Sequence, residues 1–440
     1  MLRNREMVVT KLQRIAEKAR NDPGCRFTSL FHLMNEEMLR ECFRELRKDA
    51  AAGIDKVTKE EYGRDLEKNL TVLVQKLHRM SYIPLPVRRA YIPKAGSSKE
   101  RPLGIPALED KLVQAGLARI LSAIYEQDFI DDSYGFRPGR SCHDGLRALS
   151  QEVEGGRIHY IVDADIKGFF DNVDHEWLIK FLGHRIVDQR VLRYVRRFLK
   201  AGIMEDGAIW ASDKGTPQGG VVSPILANIY LHYSLDLWFT RVFQKGCYGQ
   251  SRMIRYADDF VVCFERERDA GEFRQALEDR LQTFGLELSP DKTKTIEFGP
   301  FAQSKAKRRG GKAETFDFLG FTHYCSRTRD GRRFRMKRIT SSKKFTAKVR
   351  MFKDWLKANR TLPTAELMGK VAAKLRGHFA YYGVTDNSRA ISRFAYEVRR
   401  LLSKWLNRRG KRGCMNWETF NLLLKKFPLP RPRIVVNLFQ

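Results

Sequence analysis

Two short stretches place carboxylates where phosphoryl-transfer chemistry could use them. In RIHYIVDADIKGFFDNVDH (157–175), Ile161, Asp163 and Asp165 share one face of a strand, opposite Tyr160, Val162 and Ala164. In MIRYADDFVVCF (253–264), Ile254 and Tyr256 precede Ala-Asp-Asp, and Phe260, Val262 and Phe264 follow at spacing two. That is a hairpin pattern with Asp258 and Asp259 at or near its turn. Asp is a common turn residue, but unpaired carboxylates beside strands this apolar are costly unless something neutralises them. Three convergent acids repel one another, and a pair of divalent cations is the natural remedy. Oxygen-rich sites of this kind suit Mg²⁺ or Mn²⁺. Two such ions about 3.5–4 Å apart can activate an attacking hydroxyl and stabilise a leaving oxygen.

The elements around these acids alternate between helix and strand. Ser29–Lys48 and Glu60–Met80 read as helices, and YIPLPVRRAYIPK as extended, Pro-punctuated chain. Asp174 reads as an N-cap before HEWLIKFL, and His143 and His175 as structural. A boundary falls at KAKRRGGKAE (305–314), which has no periodicity. Three helices are expected beyond it. In the second, Leu367, Val371, Leu375 and Phe379 share a face between Thr364 as N-cap and Gly383 as stop. The third runs from near Ser388 to Gly410 with Ile391, Phe394, Val398, Leu402 and Trp405 on one stripe. The tail KFPLPRPRIVVNLFQ is expected to be extended.

Charge points to the partner. The chain has 440 residues and a net charge of +30. From Lys305 onward there are 35 basic and 8 acidic residues, so nearly the whole excess sits in the C-terminal third. Segregated charge of this size indicates a surface for a polyanion, nucleic acid above all. A hydrophobic fraction of 42% with 30% charged residues excludes a wholly disordered or membrane-embedded chain. The charged start has no signal-peptide core, and seven cysteines never form a C-x-x-C pair. A soluble protein of the reducing cytoplasm is expected, with no membrane partner.

These strings and their surroundings resemble the reverse transcriptase family, specifically the bacterial group II intron-encoded reverse transcriptase/maturases. RPLGIPALEDKLVQAGL (101–117) and SYGFRPGRSCHDGL (133–146) look like the two fingers motifs. DADIKGFFDNVDH (163–175) and YADDF (256–260) look like the catalytic palm motifs. GTPQGGVVSPILANIYL (215–231) looks like the template- and nucleotide-positioning motif, and LELSPDKTK (286–294) like the palm-closing one. FDFLGF (316–321) resembles the primer-gripping strand. The implied fold is α+β, a right-hand polymerase of fingers and a palm with an antiparallel sheet, followed by an all-α thumb. The expected divisions are a helical extension (1–85), fingers and palm (86–304), a basic thumb or maturase domain (305–410) and a short basic segment (411–440).

The resemblance also implies roles. Asp165, Asp258, Asp259 and the backbone carbonyl of Ile166 would hold two Mg²⁺, Asp258 bridging both and Asp259 contributing less directly; Asp163 is a rival to Asp165. Phe170 matches the aromatic that selects deoxynucleotides. Arg101 and a fingers lysine, Lys94 or else Lys99, would hold the triphosphate. Gln218 and Gly219 would approach the base pair, and Lys292 matches the palm-closing lysine that protonates departing pyrophosphate. The implied activity is RNA-templated DNA synthesis from dNTPs on an RNA template with a DNA primer. Intron RNA, or another structured RNA, is the implied partner for splicing and mobility, with target DNA as a further one. Two alternatives stay open: a protein that is chiefly an RNA-binding splicing factor, and a relative recruited for host defence or repair. Residues 411–440 are too few for the metal-binding endonuclease domain of larger relatives, so no autonomous DNA nicking is expected.

Overall fold

A computed structural model describes residues 2–93, 100–205, 207–211, 213–216, 219–409 and 415–439. Strand β1 (Val87–Pro93) pairs antiparallel with β2 (Glu100–Ile105), while β3 (Tyr160–Asp165) lies in a second sheet. The short β4 (Ile203–Glu205) joins β1 in parallel and β5 (Ala208–Trp210) antiparallel, giving the first sheet the order β2-β1-β4-β5. Strands β6 (Ser251–Tyr256), β7 (Asp259–Phe264) and β8 (Lys294–Glu297) complete the antiparallel palm sheet in the order β6-β7-β3-β8. A third antiparallel sheet holds β9 (Thr315–Phe318), β10 (Phe321–Arg327) and β11 (Phe334–Thr340), with β10 central.

The palm sheet is covered on both faces. Val162, Ala164, Phe260 and Val262 belong to a large core shared with the N-terminal and fingers helices. Ile161, Ile254, Val261 and Cys263 belong to a second core, shared with β9–β11 and the C-terminal helices. Alternate residues of one strand thus enter different cores. The acids stand where the strands run out of this double cover.

Several local expectations are refined. The Ser29–Lys48 segment is helical only over Glu36–Glu45, after a short 3₁₀ turn at Phe31–Leu33. Asp188 accepts the Leu30 and Phe31 N–H groups at 2.7 and 2.9 Å, fixing that turn, and Asn35 caps the helix. The Glu60–Met80 helix is two, Lys59–Arg64 and Leu66–His78, divided at Asp65. There the Asn69 side-chain amide donates to the Tyr62 carbonyl at 3.0 Å.

The 305–314 boundary begins inside a helix, Ala302–Arg308, anchored where Lys305 and Arg309 pair with Glu297. The three-stranded sheet follows, so the long helices of the C-terminal third begin at Ser342: Ser342–Asn359, Thr364–Tyr382 and Ser388–Leu406. Thr364 is the first helical residue rather than the cap, which is Pro363. The third helix stops at Leu406, and Gly410 lies outside the described residues. A further helix, Trp417–Lys426, precedes the extended tail. Asp174 caps its helix as expected, accepting the Trp177 N–H at 2.9 Å. Among the described residues no helix is long and apolar enough to cross a membrane.

Candidate active site

The two acidic strings meet at one end of the palm sheet. β3 and β7 are antiparallel neighbours, and Asp165 stands directly across from Asp259. β6 and β7 join through a two-residue loop, Ala257–Asp258, closed by the Tyr256–Asp259 pair. Ala257 takes a left-handed backbone, φ 58°, where a tight hairpin usually has glycine. For alanine this costs about 1 kcal/mol or more, and such a residue persists only where its surroundings dictate the conformation.

Asp165 and Asp258 line one cleft of about 660 Å³, together with Ile166, Phe170, Arg101, Gly219 and Lys292. Asp259 lies across the ladder from Asp165 and is not on that wall. Asp163 is also absent from the lining; it sits one pleat back, paired with Val261 and Lys294. Lys94 and Lys99 of the fingers, and Gln218, lie outside the described residues.

The acids disfavour one another's charge. Asp163 is pushed up to about 7 by burial, with Asp259, Asp317 and Asp165 adding repulsion. Asp259 reaches solvent, yet the protein crowded round it strips hydration from the carboxylate and pushes it up to about 7, with Asp258 and Asp165 adding to the rise. The Leu319 N–H, from the turn between β9 and β10, opposes that rise. Asp258 is raised too, first by burial and then by Asp165, while the cations of Arg101 and Arg255 pull it down. Lys292 answers part of this charge, its ammonium 2.6 Å from Asp165 Oδ2.

This donor set fits divalent cations. Among the described residues no three acidic, His or Cys side chains form a ready cage. Mg²⁺ rarely uses one; it takes one or two carboxylates and completes its shell with substrate phosphates and water. Asp163, Asp258 and Asp259, all raised by burial and by neighbouring acids, have an unmet demand for positive charge, which is the condition such ions satisfy.

The rest of the cleft is built from backbone. Gly168, at φ 54°, starts the turn that presents Phe169 and Phe170. Phe169 is buried, and Phe170 packs edge-on to it at 5.3 Å on the cleft wall. The Thr216 N–H donates to the Phe170 carbonyl at 2.7 Å, strapping the GTPQGG loop to this turn. Gly219, at φ 110°, lies so near β2 that a Cβ would fall 2.6 Å from the Gly104 carbonyl. His175 and His143 serve the fold, through the Gly215 carbonyl at 2.7 Å and the Tyr381 carbonyl at 2.9 Å.

Comparison with known proteins agrees. A family model described as reverse transcriptase (RNA-dependent DNA polymerase) matches residues 92–323, and one described as group II intron, maturase-specific domain matches residues 342–421. The chain belongs to the group II intron-encoded reverse transcriptase family. This reverse transcriptase is 29% identical to the group II intron-encoded protein LtrA of Lactococcus lactis, over 88% of its own length and 75% of that relative's. It is 35% identical to protein YkfC of Escherichia coli over 66% of its own length and 84% of YkfC. Telomerase from Candida albicans, solved with a telomeric RNA fragment, shows a distant likeness: TM-score 0.43 and 14% identity, over 84% of this chain and 65% of that one. The enzyme is an RNA-directed DNA polymerase joined to a maturase domain.

Two features of the site lie inside motifs read from the sequence, but nothing there singles them out. Phe136, of the second fingers motif, lines the cleft half-exposed with a left-handed backbone at φ 58°. An exposed aromatic held at that φ is marked for function, but only coordinates reveal the φ. The other is Arg255, wholly buried behind the YADD turn. In the sequence it is one basic residue among many.

Proposed function

We propose that Asp165, Asp258 and Asp259, with the Ile166 carbonyl, hold two divalent cations, Mg²⁺ first, for primer extension with dNTPs on an RNA template. The chemistry such a pair supplies when bound is activation of the primer 3′-hydroxyl and neutralisation of the triphosphate. The observation that carries this reading is the convergence of Asp165 and Asp258 on one cleft wall with Asp259 directly across the ladder. Arg101 grips the triphosphate through its guanidinium fork, together with Lys94 or Lys99. Phe170 packs beneath the sugar and rejects a ribose 2′-hydroxyl. Lys292, whose ammonium lies beside Asp165, would deliver a proton to the departing pyrophosphate. Gln218 and Gly219 support the nascent base pair.

Residues 86–304 act as fingers and palm, and the basic residues 305–410 grip the template–primer and the intron RNA. Exposed Lys343, Lys344, Lys348, Arg350, Lys374 and Arg376 supply phosphate contacts there. Binding of intron RNA supports splicing in the same molecule. Asp258→Asn tests the central assignment. Primer extension should be lost while the dissociation constant for RNA stays within about twofold, since phosphate contacts dominate that affinity. Extension at the wild-type rate sinks the metal reading.

A further inference from the structure

We infer that Arg255 is a positioning residue for catalysis: it grips the Ala257 carbonyl and so sets the direction in which Asp258 and Asp259 are presented. The inference rests on the reading of those two aspartates as the cation-binding acids. Arg255 lies on β6, two residues before the turn. Its side chain and that of Asp236 are both fully buried. Nε and Nη2 donate to the two Asp236 carboxylate oxygens at 2.7 and 2.5 Å. Nη1 turns the other way and donates to the Ala257 carbonyl at 3.0 Å and to Asn228 Oδ1 at 3.1 Å. That carbonyl belongs to the peptide joining Ala257 to Asp258, so fixing its plane fixes the start of Asp258.

The surroundings leave the turn one conformation. Asn228 is buried and donates through Nδ2 to the Gly135 carbonyl at 2.7 Å. Gly135 lies against the turn from outside; a Cβ there would fall 2.3 Å from the Ala257 nitrogen. Main-chain bonds tie Arg255 to the same loop: its N–H donates to the Asp132 carbonyl at 2.9 Å, and its carbonyl accepts the Tyr134 N–H at 2.8 Å. Asp236 ends a π-helical turn, His232–Asp236, that continues the helix Ser223–Leu231. Such turns often mark functional positions.

The charge pairing of Arg255 with Asp236 is by itself no reason to keep these residues. A buried Arg–Asp pair can commonly be exchanged for apolar side chains of similar volume without loss. What an apolar pair cannot do is donate a hydrogen bond to the Ala257 carbonyl, and the left-handed alanine needs that hold. One face of the guanidinium cancels its charge on Asp236 while the other serves the turn. Lysine's compact ammonium lacks the planar fork that holds both Asp236 oxygens while a separate N–H reaches the turn.

The test is the double variant Arg255→Met/Asp236→Leu in the full chain. It should still fold cooperatively, with a lowered melting temperature, because the Ala257 carbonyl and Asn228 Oδ1 lose their buried donor. Its kcat for primer extension should fall about 10²-fold, the effect of moving a reacting group by about 1 Å. KM for dNTP should stay within about twofold, because the triphosphate grip is elsewhere. Mn²⁺ binding to the resting protein, followed by electron paramagnetic resonance, should weaken. Adding Ala257→Gly, which relieves the left-handed strain, should return about fivefold or more of the lost rate. Arg255→Lys, read by the same measurements, replaces the double variant if that one does not fold. Wild-type kcat and Mn²⁺ affinity in a folded variant would overturn the inference, and so would a rate loss with unchanged Mn²⁺ affinity and no relief from glycine. Asp258→Asn separates the two readings: if it is inactive while the double variant is normal, only the role of Arg255 fails; if it is active, the assignment beneath it fails.

Discussion

Lys292 and Asp165 face each other across the mouth of the cleft, with the ammonium nitrogen 2.6 Å from a carboxylate oxygen. The pair comes from separate motifs, the end of β3 and the turn before β8, joined where the Ser289 N–H donates to the Asp165 carbonyl at 2.8 Å. Both side chains are about half-exposed, so the pair adds no more than about 1 kcal/mol to stability. Its weight is local, because the ammonium stands where a cation is proposed to bind.

Lys292→Met should therefore have two effects of opposite sense. With the competing charge gone, the Mg²⁺ concentration giving half-maximal extension should fall, by about two- to threefold. With the proton donor gone, the maximal rate should drop by about 10²-fold. Extension rate against Mg²⁺ concentration separates the two. An unchanged maximal rate would remove Lys292 from the chemistry.

Phe170→Val should open the sugar subsite. The ratio of kcat/KM for dNTP over rNTP is expected to fall by about 10²-fold, with activity on dNTPs largely kept. Single-nucleotide incorporation with matched dNTP and rNTP measures it. Phe169, buried behind Phe170, is the contrast: Phe169→Val should cost about 1–3 kcal/mol of stability by leaving a cavity, with little change in sugar selection.

The acids give a pH dependence of definite sign. Asp163 and Asp259 hold protons up to about 7, above the ordinary carboxylate value of 3.8. Between those limits the folded chain binds more protons than the unfolded one, so the metal-free protein loses stability as pH rises from about 4 to about 7. Cations need the ionised acids, so Mg²⁺ should bind more weakly at pH 6 than at pH 8 and restore most stability at the higher pH. Thermal melts across pH with and without Mg²⁺ test this. A melting temperature that rises with pH over that interval in metal-free buffer would contradict the raised values. Asp163→Asn should flatten the slope while leaving extension active.

Affinity for RNA should fall with salt, at a slope of about −0.7 in log K against log salt per phosphate contact for single strands. Replacing Lys343 and Lys344 with Gln should lower the slope by about one to two and weaken binding evenly across sequences. Filter binding at several salt concentrations decides it. An unchanged slope would place the RNA elsewhere.

The acidic pattern of 163–165 and 258–259 was legible because strand alternation and turn spacing are local, and each string holds its own hydrophobic context. The basic C-terminal third was legible from composition, and the helices 364–382 and 388–406 from spacing. Their boundaries were less so. Asp188 holding Leu30 and Phe31, and Asn69 taking the Tyr62 carbonyl, are contacts that no local pattern contains.

By itself the sequence determined which side chains can do chemistry and the order of the segments that carry them, since residue type and periodicity are properties of the chain. The tertiary structure decided the register that sets Asp165 against Asp259, the withdrawal of Asp163 from the cleft, the Lys292 contact and the grip of Arg255 on the YADD turn. All but the last are relations between residues many tens of positions apart, and the Arg255 grip, though it spans two positions, depends on Asp236 and Asn228 further back in the chain. They come into being only when two cores close on opposite faces of the palm sheet and leave its acidic end in the open.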